Sequence, residues 1–261
     1  MSTNLDRIKT IAEGLGDLCK KVVFVGGSVA ELYAEDPAAT DIRTTMDVDC
    51  VIKTEKYANL EEFEDLLRAR KFENDIESGV ICRWRYKGEI VDIMPDRESV
   101  LGFTNRWYRP GIQNRMVFEI QDGISVYILP PLYYLATKIE AIKGRGGYDL
   151  RLSHDFEDFI YVLNNRPDIT SQFDGLADDD LAEYLSAWAR ELLGRRNCRE
   201  EIECMLPYGV YDRVDYILDI LRHFGRQGLA RRKMTVSTGT TRSWRERFRP
   251  SSQRISPVAT S

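Results

Sequence analysis

Thr45-Met46-Asp47-Val48-Asp49-Cys50-Val51-Ile52 is the stretch that decides how the rest of the chain reads. Successive side chains of a strand point to opposite faces, so Asp47 and Asp49 share one face while Met46, Val48, Cys50 and Ile52 share the other. Two carboxylates side by side repel each other unless a cation lies between them. The usual agent is a hard divalent ion such as Mg²⁺, which takes one or two carboxylates together with phosphate oxygens. Such a pair on a solvated strand is also tolerated with no role at all. The neighbouring sequence has to decide.

Upstream, the apolar residues Ile8, Ile11, Ala12, Leu15 and Leu18 fit one face of a helix over Asp6–Cys19, and Lys21-Val22-Val23-Phe24-Val25 fits a short buried strand. That strand ends in Gly26-Gly27-Ser28, and Val29–Tyr33 resumes helical character. Glycines let the backbone approach a phosphate closely, and free N–H groups at a helix start favour an anion. Ser28 is placed to cap that helix or to donate to the phosphate.

Downstream, Glu35–Thr44 contains Pro37 and reads as a surface loop. Tyr57–Arg70 follows as a helix with Leu60, Phe63, Leu66 and Leu67 on its apolar stripe, and the strands Val80–Tyr86 and Glu89–Met94 meet at Lys87-Gly88. In Val91-Asp92-Ile93-Met94-Pro95 an acid interrupts an apolar run. Such a carboxylate must be paired, protonated or metal-bound, so Asp92 reads as a third carboxylate of the same site. An Arg- and aromatic-rich loop (Phe103, Arg106, Trp107, Tyr108, Arg109) then leads to a strand over Ser125–Leu129.

Pro130-Pro131 marks a break, after which the chain is helical. Leu132, Leu135, Ile139 and Ile142 form one stripe, with Lys138 and Lys143 off it, and a glycine-rich Gly144-Arg145-Gly146-Gly147 follows. Ser153 caps a helix from His154 to Leu163, on which Asp155 and Asp158 are neighbours. Two more helices are expected over Asp178–Leu193 and Val210–Phe224.

Strand, Gly-Gly-Ser turn, helix, Asp-x-Asp strand and hairpin strand with a third acid together resemble the nucleotidyltransferase domain of the DNA polymerase β superfamily. The later stretches Leu135-Ala136-Thr137-Lys138-Ile139-Glu140-Ala141-Ile142-Lys143-Gly144-Arg145 and Ser153-His154-Asp155-Phe156-Glu157-Asp158 look more narrowly like its abortive-infection (AbiEii/AbiGii) toxin branch. The resemblance covers about Val22 to Leu163. It implies an α+β fold, a mixed sheet flanked by helices and followed by a helical domain; with the break at Pro130-Pro131 and the basic composition of the tail, the expected boundaries fall at 1–129, 130–225 and 226–261. It also implies that Asp47, Asp49 and Asp92 hold Mg²⁺ or Mn²⁺, and that Gly26, Gly27, Ser28, Lys138 and Arg145 hold the phosphates of an NTP. Lys138 would act as the catalytic cation, with Asp155 positioning Lys138 or Arg145. The acceptor implied first is a tRNA 3′ end, with a cognate antitoxin as partner; a protein hydroxyl or a small molecule is the alternative. One departure is the eighteen residues between Ser28 and Asp47, which leave Arg43 without an assigned role and make 35–44 a candidate lid.

Composition bounds the rest. With 261 residues, 43% hydrophobic and 30% charged, the chain can bury a sizeable core. No apolar run approaches the ~18 residues of a membrane span, and the N-terminal residues lack a signal-peptide pattern, so no membrane partner and a cytoplasmic location are expected. Five scattered cysteines and two histidines suggest neither a disulfide framework nor a zinc site. The net charge of −5 conceals an asymmetry: residues 226–261 carry nine Lys or Arg against Glu246, a net of +8, which leaves −13 on the body. That tail has the composition of a disordered basic arm. The competing reading of the whole is a non-catalytic nucleotidyltransferase-fold module whose basic tail does the binding. A set of mutually repelling acids argues for the enzyme.

Overall fold

The computed structural model describes residues 3–36, 39, 42–54, 57–102, 104–121, 123–145 and 149–237. Part of the expected lid, at 37, 38, 40 and 41, and the glycines Gly146 and Gly147 lie outside them.

Helix α1 (Thr3–Leu15) buries Ile8, Ile11, Ala12 and Leu15, as its periodicity requires, and tightens into a 3₁₀ turn over Gly16–Lys21. Strand β1 (Val22–Val25) is buried along its whole length. After β2 (Val48–Ile52), helix α2 (Tyr57–Ala69) buries Leu60, Phe63 and Leu67, but Leu66 stays 40% exposed. A short β3 (Glu73–Asn74) precedes the hairpin of β4 (Arg83–Tyr86) and β5 (Glu89–Pro95). Lys87 and Gly88 both take positive φ, +48° and +88°, the two-residue turn that matches strand twist.

The segment after β5 is not the plain loop expected. It contains α3 (Glu98–Leu101), α4 (Tyr108–Gln113) and β6 (Met116–Glu119), which pairs antiparallel with β7 (Ser125–Ile128). Neither short helix spans enough residues to show a period, and β6 is an edge strand with no face fully buried.

The seven strands form one mixed sheet in the order β3-β4-β5-β2-β1-β7-β6. At its centre β1 runs antiparallel to β2, β2 parallel to β5, and β1 parallel to β7. The helices that follow are α5 (Pro131–Gly144), α6 (His154–Asn165), α7 (Ile169–Asp174), α8 (Asp179–Leu193), α9 (Cys198–Glu203) and α10 (Tyr211–Ser237). Proline opens α5, and the Ser153 and Asp178 side chains cap α6 and α8 by accepting from Phe156 N and Leu181 N at 3.2 and 3.0 Å.

Helix α10 continues past Phe224, so the basic tail expected from Arg226 begins inside a helix; 238–261 lie outside the described residues. The reason is close packing on α8, where a Cβ on Gly225 would meet Arg190 and one on Gly228 would collide with Ser186. Small residues, invisible to a hydrophobic stripe, carry that contact. Buried apolar residues form one cluster from Ile8 to Phe224, so the expected boundary at 129/130 marks a change from strands to helices within a continuous core. No helix among the described residues is long and apolar enough to cross a membrane, and the five cysteines are free thiols.

Candidate active site

The register of the central strands brings the acids together. Asp49 stands opposite Val25 on β1 and beside Asp92 on β5, and directly paired residues on neighbouring strands send their side chains to the same face. Asp47 lies in the bend just before β2. Asp92 is buried, while Asp47 and Asp49 are half-buried. Burial and then the Asp47 carboxylate push the Asp49 carboxyl up to about 7, with Asp92 adding to the effect and Lys138 and Arg145 opposing it.

Arg83 on β4 reaches into this group. Its Nε and Nη2 donate to the two oxygens of Asp92 at 2.8 Å each, and Nη2 also donates to Asp47 Oδ2 at 2.8 Å. The sequence reading missed this residue. The signal was available: a two-residue turn at 87–88 pairs 83 with 92, so an arginine and an acid sit directly across the hairpin.

Across from the acids stands a wall of cations. Lys138 on α5 lies off the apolar stripe yet is buried, and its Nζ donates to Asp158 Oδ2 at 2.6 Å and Asp155 Oδ1 at 3.3 Å. Burial opposes its charge, but Asp158 and then Asp155 outweigh burial and hold its pKa above the ordinary lysine value. Arg145, largely exposed, pairs with the other oxygen of Asp155, so Asp155 touches both cations. Arg43 donates to both oxygens of Asp158 at 3.1 Å and lies 3.0 Å from Glu157. Asp158, left without a role in the sequence reading, is thus the common partner of Arg43 and Lys138.

Between the walls runs the glycine turn. Gly26 takes φ +75°, and a Cβ there would collide with the Asp49 carboxylate; a Cβ on Gly27 would come within 2.8 Å of Arg43 Nη2 and 3.3 Å of Asp158 Oδ2. Only glycine lets the backbone pass both walls at once. The Gly26 carbonyl accepts from Tyr134 Oη on α5 at 2.9 Å, which ties the turn to the helical half.

Two expectations about this turn are corrected. The segment after it is a four-residue 3₁₀ turn, Ala30–Tyr33, rather than an α-helix, because Glu35 N and Asp36 N turn away to donate to Asn165 O. Ser28 is fully buried, caps nothing, and its Oγ has no hydrogen-bond partner among the described residues. It does not line the cleft.

The cleft itself has a volume of about 540 Å³. Gly26, Gly27, Asp47, Asp49, Lys138, Arg145 and Asp155 all line it, together with Arg43, Asn105, Tyr108 and His154. Tyr108, from the segment read as a loop, was not anticipated as a wall residue; burial holds its phenol protonated. Asp92 adjoins the cleft through Asp49 and Arg83 without lining it.

The acids are hard oxygen donors on adjacent strands, which suits Mg²⁺ or Mn²⁺ in kind. Among the described residues no group of three or more His, Cys, Asp or Glu side chains is already arranged as a metal cage. The Arg83 guanidinium holds Asp47 and Asp92 instead. The chain matches no protein-family model and no curated protein sequence.

Proposed function

We propose that the chain is a divalent-metal-dependent nucleotidyltransferase, moving a nucleoside monophosphate from an NTP to a hydroxyl acceptor with release of pyrophosphate. The observation that carries this reading is one cleft with two unlike walls, Asp47 and Asp49 on one side and Lys138 and Arg145 on the other, with the Gly26-Gly27 turn between them. Its volume falls in the range of small-molecule and cofactor pockets.

Asp47, Asp49 and Asp92 would hold Mg²⁺ or Mn²⁺, which when bound supplies charge stabilisation to the attacking and leaving oxygens of phosphoryl transfer. The residues of the chain do the rest. Lys138 is held charged and fixed by two carboxylates, so its ammonium meets charge developing on the leaving group without reorganising. Arg145, tethered to Asp155 yet exposed, adds a cation at the cleft mouth for the departing pyrophosphate. Gly26 and Gly27 allow the backbone to lie against the triphosphate. Tyr108 donates a hydrogen bond from the wall, and Asp92, which Arg83 holds behind the cleft, would orient the acceptor hydroxyl once released from that pair.

On the resemblance to the AbiEii branch, the acceptor assigned first is a tRNA 3′ end and the partner a cognate antitoxin; a protein hydroxyl or a small molecule comes next. Incubating the full chain with each labelled NTP, Mg²⁺ and total RNA or total protein tests this. Label transfer with stoichiometric pyrophosphate, lost in Asp49→Asn, is expected. Neither label transfer nor pyrophosphate with any NTP would overturn the enzyme. The binding-module reading draws support from one feature: Arg83 relieves the repulsion between Asp47 and Asp92 without a metal.

A further inference from the structure

Arg83 occupies the place between two carboxylates that a metal ion would need, and it does so from a strand with acids on both sides. On one side are Asp92 and Asp47, each within 2.8 Å of the guanidinium. On the other is Asp75, whose backbone N–H donates to Arg83 O at 3.0 Å and which borders an outer groove together with Arg83 while its side chain stays buried. Arg85 holds one oxygen of that carboxylate, Oδ2, at 2.8 Å. A second observation bears on the same residue: Asp47 and Asp49 line the cleft, but Asp92 does not.

A guanidinium cannot be deprotonated in a protein, so it cannot yield its place by losing charge. It has to move. Resting on the nucleotidyltransferase reading, we propose that Arg83 is a two-position counter-cation. It is held between Asp47 and Asp92 in the metal-free chain and turns outward to Asp75 when a divalent cation takes those carboxylates. Asp92 joins the cleft only in the second position. Arg83 is therefore a positioning residue: it keeps the three acids compatible before metal arrives, and it sets the affinity with which metal is taken.

The charge balance supports the exchange. Removing the guanidinium from the acids without replacement leaves Asp47, Asp49 and Asp92 facing one another at the end of β2, a strongly repulsive state. A divalent ion restores the balance, and the displaced charge finds the Asp75 carboxylate just past the end of the neighbouring strand. Metal and arginine compete for the same oxygens, so each weakens the binding of the other.

Mn²⁺ binding to the full chain, without nucleotide, tests this by calorimetry and by the shift in thermal midpoint. Arg83→Gln should bind Mn²⁺ about tenfold more tightly or better and show a larger Mn²⁺-induced rise in midpoint than the wild type. Asp75→Asn should bind more weakly, and that loss should vanish in the Arg83→Gln/Asp75→Asn double variant, because the partner of Asp75 is gone. Unchanged or weaker Mn²⁺ binding in Arg83→Gln overturns the proposal, as does an Asp75→Asn effect that persists in the double variant. If Arg83→Gln is unfolded without metal, recovery of cooperative unfolding on adding Mn²⁺ supports the proposal. Failure to recover, with Arg83→Lys binding Mn²⁺ like the wild type, overturns it. Asp49→Asn separates the two levels: if it leaves Mn²⁺ binding intact, the metal-site reading itself fails, whereas if it abolishes binding while Arg83→Gln does not tighten it, only the role of Arg83 fails.

Discussion

Burial and the neighbouring Asp47 carboxylate raise Asp49 from the usual 3.8 to about 7, so in the metal-free protein this group keeps its proton across a range where the unfolded chain has released it. The folded state then binds more protons than the unfolded one, and stability falls as pH rises from about 4 to about 7. Asn carries no such charge. Asp49→Asn should therefore raise the thermal midpoint of the metal-free chain at pH 7.5 relative to wild type, with the difference shrinking toward pH 4, while removing Mn²⁺ binding and turnover. Melts at the two pH values check it, and a variant less stable than wild type at pH 7.5 would contradict the account. Lys138 behaves in the opposite way. It neutralises Asp155 and Asp158 inside the fold, so Lys138→Ala should cost about 3 kcal/mol or more in urea unfolding in addition to ~10²-fold in turnover. Lys143→Ala, on the same helix but exposed and 3.6 Å from Glu191, should move stability by less than about 0.5 kcal/mol and leave turnover alone.

At the scale of elements, the β4–β5 hairpin decides whether Arg83 meets Asp92 at all. Its turn needs positive φ at both central residues, and Gly88 sits at +88° with open space around it. Gly88→Val meets no steric obstacle outside its own backbone, so any loss comes from backbone conformation, about 1 kcal/mol or more. We expect that loss in the unfolding midpoint, together with a change in Mn²⁺ affinity caused by loosened register. The hairpin also shows what a single sequence makes legible. Alternation exposed β2 with Asp49, an acid interrupting an apolar run exposed β5 with Asp92, and turn chemistry exposed the Lys87-Gly88 link, because these signals are local; Asp47, read as part of the strand, falls in the bend before it. Arg83 escaped notice since its meaning appears only when turn and strand are read jointly, as a pairing across the hairpin. The segment from Glu98 to Glu119 escaped because its two helices and edge strand are too short to repeat a pattern. The glycine turn was legible as a turn; the 3₁₀ geometry after it was not, being set by Asn165 some 130 residues away in sequence.

For the whole molecule, the governing fact is that one core runs beneath both walls of the cleft. The last helix belongs to it. Gly228→Val should collide with Ser186 and cost about 1–3 kcal/mol, read from the urea midpoint, whereas a truly peripheral tail would tolerate it. Residues 238–261 are a separate question: they carry Arg242, Arg245, Arg247, Arg249 and Arg254 against Glu246. Against an acidic body, they supply half of the net +8 of residues 226–261, a reserve of positive charge for the proposed RNA acceptor. Deleting them should reduce the slope of log affinity against log salt by roughly three to four in an RNA-binding titration, at ~0.7–0.9 per phosphate contact. An unchanged slope would return RNA contact to the body.

The continuous core and the tie from Tyr134 to Gly26 have a consequence in the order of synthesis. Asp47 and Asp49 leave the ribosome long before Lys138, Asp155 and Asp158, and the helix that seals the core follows later still. A nascent chain stopped near residue 129 has its acids but no cation wall, no α5 to hold the glycine turn and no buried seat for the sheet. An incomplete chain therefore lacks the assembled cleft. On the proposed nucleotidyltransferase reading the timetable of translation acts as a safety catch, since the acids made first meet their cations only when α5 and α6 have arrived.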